Sequence, residues 1–366
     1  MKLFDAAIVP KLLTASDGTP VTDRAQWEAV RRPEIVEMLT REVFGRVPDR
    51  PDDLRFDVTV NDENALEGTT ELKTVNVCFD GPYGAWSFPF WMFTPKRDQP
   101  VGALVLITIG SKEDKLDITR KVKHPNWPVE EIVARGYAAV AFHYESLAVD
   151  NIACFQHSLH HCFQQESTDE SWGAIAAWAW GAMRVMDYLQ TDPDINKNRI
   201  GVVGHSRGAK TAILTGMLDE RYKAVFSNNS GCLGAAMTRF KGGESVSQIV
   251  DRFPYWFCEN VRKYVNNEQA MPFDQHMFLA TIAPRLLYVS SATTDEWADP
   301  DAELTSVKLA GDAYQLYCMN GVREDLYPLP DRSYCGAGIG YHRRTGPHGL
   351  MISDWMHFID FLDARW

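Results

Sequence analysis

Ile200-Gly201-Val202-Val203-Gly204-His205-Ser206-Arg207-Gly208-Ala209-Lys210-Thr211 is the stretch whose reading decides the fold of this chain. Residues 200–203 form a short apolar run of the kind buried on both faces of a parallel sheet. Residues 210–218 read as a helix. Between them lies G-x-S-x-G, and a serine held on a strand-to-helix turn is a nucleophile elbow. Its two glycines permit the tight turn that pushes the hydroxyl out at the C-terminal edge of the sheet. The spelling alone occurs often by chance, and the bland alternative is a glycine turn with an inert serine. The setting between a buried strand and a helix carries the argument.

Outward from this turn the chain alternates strand and helix. Further short apolar runs lie at 103–109, 137–142, 224–226 and 286–289, as expected of buried parallel strands. The Ala-rich, amphipathic stretch 172–189 predicts a helix packed on the sheet. Residues 54–93 instead alternate, as in Leu54-Arg55-Phe56-Asp57-Val58-Thr59-Val60, which predicts antiparallel strands with one wet face. Residues 22–46 predict a helix with Val30, Ile35, Met38, Leu39 and Val43 on a shared face. With no internal repeat, low-complexity segment or linker, the expectation is one domain over 1–366. Its class is α/β: an α/β-hydrolase fold, a three-layer sandwich around a mostly parallel sheet with N-terminal antiparallel strands. Residues 231–274 interrupt the strand spacing and read as an insertion forming a substrate-binding wall or lid.

Composition narrows the partners. The chain has 366 residues, 45% hydrophobic, and a formal charge of −12, which argues against binding to nucleic acid and anionic membrane surfaces. No apolar run approaches the roughly 20 residues of a membrane span. The seven cysteines, Cys78, Cys154, Cys162, Cys232, Cys258, Cys318 and Cys335, are odd in number, scattered and without CxxC spacing. They read as reduced, mostly buried thiols, and neither a metal nor another cofactor is implied. The start, Met1 to Pro10, lacks the apolar core of a secretory signal. It reads as cytoplasmic, the alternative being a secreted or periplasmic protein whose signal has been removed.

A serine hydroxyl is too weakly acidic to attack an ester unaided, so a base must take its proton and an acid must orient that base. In this fold the order is Ser, acid, His. Residues 341–349 read as a Gly/Pro-rich loop ahead of a helical segment at 351–362, and Gly346-Pro347-His348-Gly349 within it places His348 as the base, with His342 as the rival. Past the 286–289 strand, Asp295 comes soonest and is the expected acid, with Asp299 second; either could instead be a loop cap. The backbone amide of Arg207 is placed by the elbow to meet an oxyanion, and a second donor is expected near Gly110-Ser111-Lys112. Lys210 falls on the next helical turn, either at the cleft mouth or as an ordinary surface lysine.

These residues and several longer blocks resemble the glucuronoyl esterases, carbohydrate esterase family fifteen. The blocks are Trp172-Gly173-Ala174-Ile175-Ala176-Ala177-Trp178-Ala179-Trp180-Gly181, Gly204-His205-Ser206-Arg207-Gly208-Ala209-Lys210-Thr211, Ser227-Asn228-Asn229-Ser230-Gly231-Cys232, Phe253-Pro254-Tyr255-Trp256-Phe257, Pro272-Phe273-Asp274-Gln275-His276 and Asp295-Glu296-Trp297-Ala298-Asp299-Pro300. The resemblance implies hydrolysis of esters of 4-O-methyl-glucuronic acid on glucuronoxylan or its oligosaccharides. It implies Ser206 as nucleophile, His348 as base and Arg207 at the oxyanion, with Lys210, Glu244 and Trp297 lining a sugar pocket. The departures are informative. Many members carry a catalytic Glu where Asn229 stands, so the acid role passes to Asp295. Fungal members carry a disulfide Cys where His205 stands, which agrees with a bacterial type. Arg252 occupies a pocket position that is often acidic or amide. Two rival functions remain at this point: another carbohydrate esterase of acetyl xylan esterase type, or a catalytically silent carbohydrate-binding homologue.

Overall fold

The computed structural model describes residues 8–155, 157–163, 166–239, 242–323, 325 and 327–366. The N-terminal reading over Met1 to Pro10 therefore lies largely outside the described residues. Among the described residues ten strands form one sheet: β1 (Arg55–Ala65), β2 (Thr70–Gly81), β3 (Gly84–Pro95), β4 (Val101–Thr108), β5 (Ala138–His143), β6 (Ile195–His205), β7 (Ala224–Asn228), β8 (Leu286–Ala292), β9 (Ser333–Cys335) and β10 (Ile339–Arg344). Their order is β1-β2-β3-β5-β4-β6-β7-β8-β10-β9. The run from β5 through β4, β6, β7 and β8 to β10 is parallel. The flanking strands β1 to β3 and β9 are antiparallel.

Helices cover both faces, giving three layers. Alternate residues of each central strand serve opposite cores, as in β4, where Ala103, Val105 and Ile107 face one cluster and Leu104 and Leu106 the other. The first core takes in the helices α2 (Ala174–Leu189), α3 (Arg207–Leu218), α5 (Gln275–Ala280) and α6 (Pro300–Gln315). The second takes in α1 (Val129–Ala134) and α7 (Ile352–Asp363). A further short helix, α4 (Val246–Arg252), opens with a capping box at Ser245 and Gln248.

Three sequence expectations need correction. Val30 is 44% exposed and lies off the buried face of the N-terminal helical run. That run contains two π-helical segments, Trp27–Arg31 and Thr40–Phe44, around the α-helix Arg32–Leu39. The wider π turns stretch the repeat to four residues, so Trp27, Arg31, Ile35, Leu39 and Val43 are the buried line. Second, residues 341–344 belong to strand β10 and not to a loop. Its buried positions include His342 and Arg344, both bonded to Asp354, so the strand carries no apolar run to announce it. Third, none of the seven cysteines is in a disulfide, but only Cys162, Cys232 and Cys258 are buried. Among the described residues no helix is long and apolar enough to cross a membrane.

The parallel order gathers the loops after β5, β6, β7, β8 and β10 at one edge of the sheet. At that edge of an open α/β sheet, ligands bind.

Candidate active site

Ser206 sits on the turn between β6 and α3 with φ 56° and ψ −123°, a left-handed conformation that a serine adopts only where its surroundings hold it. Its N–H donates to Asn228 O at 2.9 Å and its carbonyl accepts from Ala209 N at 2.9 Å, so sheet and helix pin the turn from both sides. Gly204 is needed because a Cβ there would stand 1.9 Å from Gly208 O. Gly204→Ala must therefore push α3 off the sheet. We expect it to lower stability by about 3 kcal/mol, seen as a lower urea midpoint at unchanged m-value, with activity lost alongside. A midpoint equal to that of the parent would mean that the elbow does not depend on this close approach.

His348 lies on the loop after β10. Arg344 holds that loop by donating to Pro347 O at 2.6 Å, Gly349 O at 3.1 Å and Thr345 O at 2.9 Å. His348 Nδ1 is 2.6 Å from Asp295 Oδ2. An ionised carboxylate only accepts, so the proton of this bond sits on Nδ1 and Nε2 is left with a lone pair able to accept a proton. Asp295 is 5% exposed. Burial pushes its carboxyl up, but the hydrogen bonds from His348 and Asn229 outweigh burial and hold it below the usual carboxylate range. Asn229 Nδ2 donates to the same Oδ2 at 2.8 Å. The residue standing in place of a glutamate is thus a buttress of the acid, a role the sequence reading did not foresee.

The rivals fall away on geometry. His342 is wholly buried in β10, with Nε2 2.8 Å from Asp354 Oδ1 and Nδ1 3.2 Å from Tyr288 Oη. Asp299 caps α6 through Ala302 N at 3.1 Å and accepts from Gly242 N at 2.5 Å. Next to Ser206, the ring of His205 lies 4.4 Å from that of His348. Burial first, and then the neighbouring His348, pull the His205 imidazole down to about 3. It therefore stays neutral while its Nδ1, 2.6 Å from Asn228 Oδ1, fixes the ring.

Ser206, Asp295 and His348 share a cavity of about 280 Å³ with Arg207, Lys210, Glu244, Arg252 and Trp297. All eight residues predicted from the sequence thus reach one space. Lys210 is no surface lysine: it is 4% exposed, and its Nζ donates to Ser230 O. Glu244 is 6% exposed while Trp297 is 49% exposed, so the acid lies deep and the indole at the rim. Their segments are tied, since Glu244 N donates to Trp297 O at 2.9 Å. Phe253 and Trp256, stacked with centroids 3.8 Å apart, line the same wall and were not singled out from sequence as site residues. The loop Gly110-Ser111-Lys112, where a second oxyanion donor was expected, lines a hollow with His143 and Tyr144. The Arg207 guanidinium lies over the Trp256 ring at 4.8 Å, on the wall of the catalytic cavity.

Known proteins share this arrangement of chain. A family described as glucuronyl esterase of fungi matches residues 106–318. A carbohydrate esterase from an unknown prokaryotic organism is 32% identical over 98% of this chain and 91% of its own. A 4-O-methyl-glucuronoyl methylesterase of Podospora anserina is 29% identical over 78% of this chain and 55% of its own. Among solved structures, a glucuronoyl esterase from Solibacter usitatus is 34% identical, covers 98% of both chains and superposes with a TM-score of 0.91. The chain therefore belongs to the glucuronoyl esterase family, carbohydrate esterase family 15, on an α/β-hydrolase fold.

Proposed function

We propose that the protein is a serine esterase that hydrolyses esters of glucuronic acid, as carried on glucuronoxylan or its oligosaccharides, through an acyl-enzyme. The observation that carries this reading is the 2.6 Å bond between His348 and Asp295 on the wall of the cavity that also holds the elbow serine. Ser206 Oγ attacks the uronate ester carbonyl as His348 Nε2 takes its proton, and Asp295 stabilises the imidazolium that forms. The carbonyl electrons collect on oxygen beside the Arg207 amide and guanidinium. Collapse breaks the ester bond, and the imidazolium protonates the departing alcohol. Water then attacks the acyl-enzyme by the same route and releases the glucuronate.

Lys210 and Glu244 offer opposite hydrogen-bonding polarities to sugar hydroxyls, and the rim indole of Trp297 packs on a pyranose face. At about 280 Å³ the cavity lies just below the usual ligand-site range of about 300–1,000 Å³, which suits a single sugar ring. Residues 231–274 act as its wall, contributing Gly231, Glu244, Arg252, Phe253 and Trp256 to the lining. For an enzyme kept in the cytoplasm the substrate is an imported oligosaccharide rather than the polymer. A silent binding protein would have no use for an imidazole oriented by a carboxylate beside an elbow serine.

The test compares benzyl glucuronate with acetylated xylan. We expect cleavage of the first to be favoured by at least about 100-fold, and Glu244→Ala to cut kcat/KM on it by about 10- to 100-fold, the worth of a hydrogen bond to a charged group. The same variant should leave hydrolysis of a plain aryl acetate unchanged. Equal rates on acetylated xylan, with Glu244→Ala harming both substrates alike, would assign the site to an acetyl esterase.

A further inference from the structure

Asp150, which no motif marks, follows β5 and lies beside the nucleophile turn because the sheet order puts β5, β4 and β6 side by side. Its side chain is 4% exposed. Four side-chain donors converge on it. Tyr255 Oη and Trp256 Nε1 each donate to Oδ1 at 2.7 Å, Tyr144 Oη donates to Oδ2 at 3.1 Å, and Arg207 Nη1 donates to Oδ2. A carboxylate offers about four acceptor sites, so this one is filled.

Trp256 is doubly employed: its indole N–H donates to Asp150 while its ring carries the Arg207 guanidinium at 4.8 Å, with Phe253 at 5.5 Å. The guanidinium is thus gripped at Nη1 and supported by two stacked rings on the wall of the catalytic cavity. We propose that Asp150 is a positioning residue that aims the Arg207 guanidinium at the developing oxyanion. This rests on the reading of Arg207 given above. An uncharged asparagine could not serve: its amide nitrogen would face two of the four donors, and the charge that grips the arginine would be gone.

The experiment is a double-mutant cycle on benzyl glucuronate. Asp150→Asn should lower kcat by about 10- to 100-fold, somewhat less than removal of a whole oxyanion donor, with KM changed less than about threefold. In an Arg207→Ala background the same change should alter kcat by less than about twofold, because the group it positions is gone. Equal losses in both backgrounds, or a kcat for Asp150→Asn at the parent level, would overturn the proposal. Should Asp150→Asn fail to fold by near-UV circular dichroism, Asp150→Glu keeps the charge, shifts it by one methylene and is read through the same cycle. An Arg207→Ala variant with parental kcat would remove the Arg207 reading and this proposal with it, whereas parental activity on benzyl glucuronate tests the function independently of both.

Discussion

Replacing Ser206 by alanine lowers kcat/KM on benzyl glucuronate by about 10⁴- to 10⁶-fold and abolishes covalent labelling by a fluorophosphonate, with the fold intact. The size follows from the way a triad works as a unit, so that loss of the nucleophile alone removes nearly all that the three groups supply. What survives comes from oxyanion stabilisation and binding, since Arg207, Lys210 and Glu244 stay on the cavity wall. The fold is spared because Ser206 holds its place through its backbone, donating to Asn228 O and accepting from Ala209 N. At φ 56° alanine meets the same left-handed backbone that serine already tolerates. Two measurements decide it: intact-mass analysis after labelling, and initial rates on the ester. A variant that still takes up one fluorophosphonate, or still turns over at more than about one hundredth of the parental rate, would place the nucleophile elsewhere.

Local chemistry was legible in the sequence where a residue's role follows from its neighbours along the chain. The elbow is such a case, since a buried strand, two glycines and a helix in succession determine where the Ser206 hydroxyl goes. Asp295 was readable for a similar reason, as the carboxylate soonest after the end of β8. Roles set by strand order were not legible. Asp150 reaches Arg207 only because β4 inserts between β5 and β6, and nothing within one segment encodes that order. Strand β10 was hidden by its own chemistry: His342 and Arg344 satisfy Asp354 inside the protein, and buried ion pairs invert the usual polarity pattern. Lys210 was ambiguous because spacing along a helix does not say what packs against it; here α3 lies under the Ser230 loop, whose carbonyl accepts a hydrogen bond from the ammonium.

Asp295→Asn keeps the size of the side chain and removes its charge. We expect kcat to fall by about 10²- to 10³-fold, short of the roughly 10⁴-fold that follows when such a change also turns the imidazole to the wrong tautomer, with KM nearly unchanged and the thermal midpoint within a few degrees. Two donors, His348 Nδ1 and Asn229 Nδ2, meet at Oδ2, while Oδ1 receives, among the described residues, the longer bond from Ala298 N at 3.4 Å. An asparagine has a single acceptor oxygen, and the crowded side selects it. The His348 tautomer is then preserved and the loss measures the missing charge. Removing the second donor in Asp295→Asn/Asn229→Ala frees the amide to turn its nitrogen toward His348, which puts the proton on Nε2 and silences the base. That double variant should therefore lose more than the product of the two single losses. Glu303 does not rescue either variant. It is fully buried, and its oxygens are already engaged by Ser291 Oγ at 2.6 Å, Ser230 Oγ at 3.1 Å and Gly231 N at 3.0 Å. Burial also pushes its carboxyl up, away from the ionised form that an imidazolium requires. An Asp295→Asn enzyme within about tenfold of the parent would take Asp295 out of the reaction and leave the imidazole oriented by some other group.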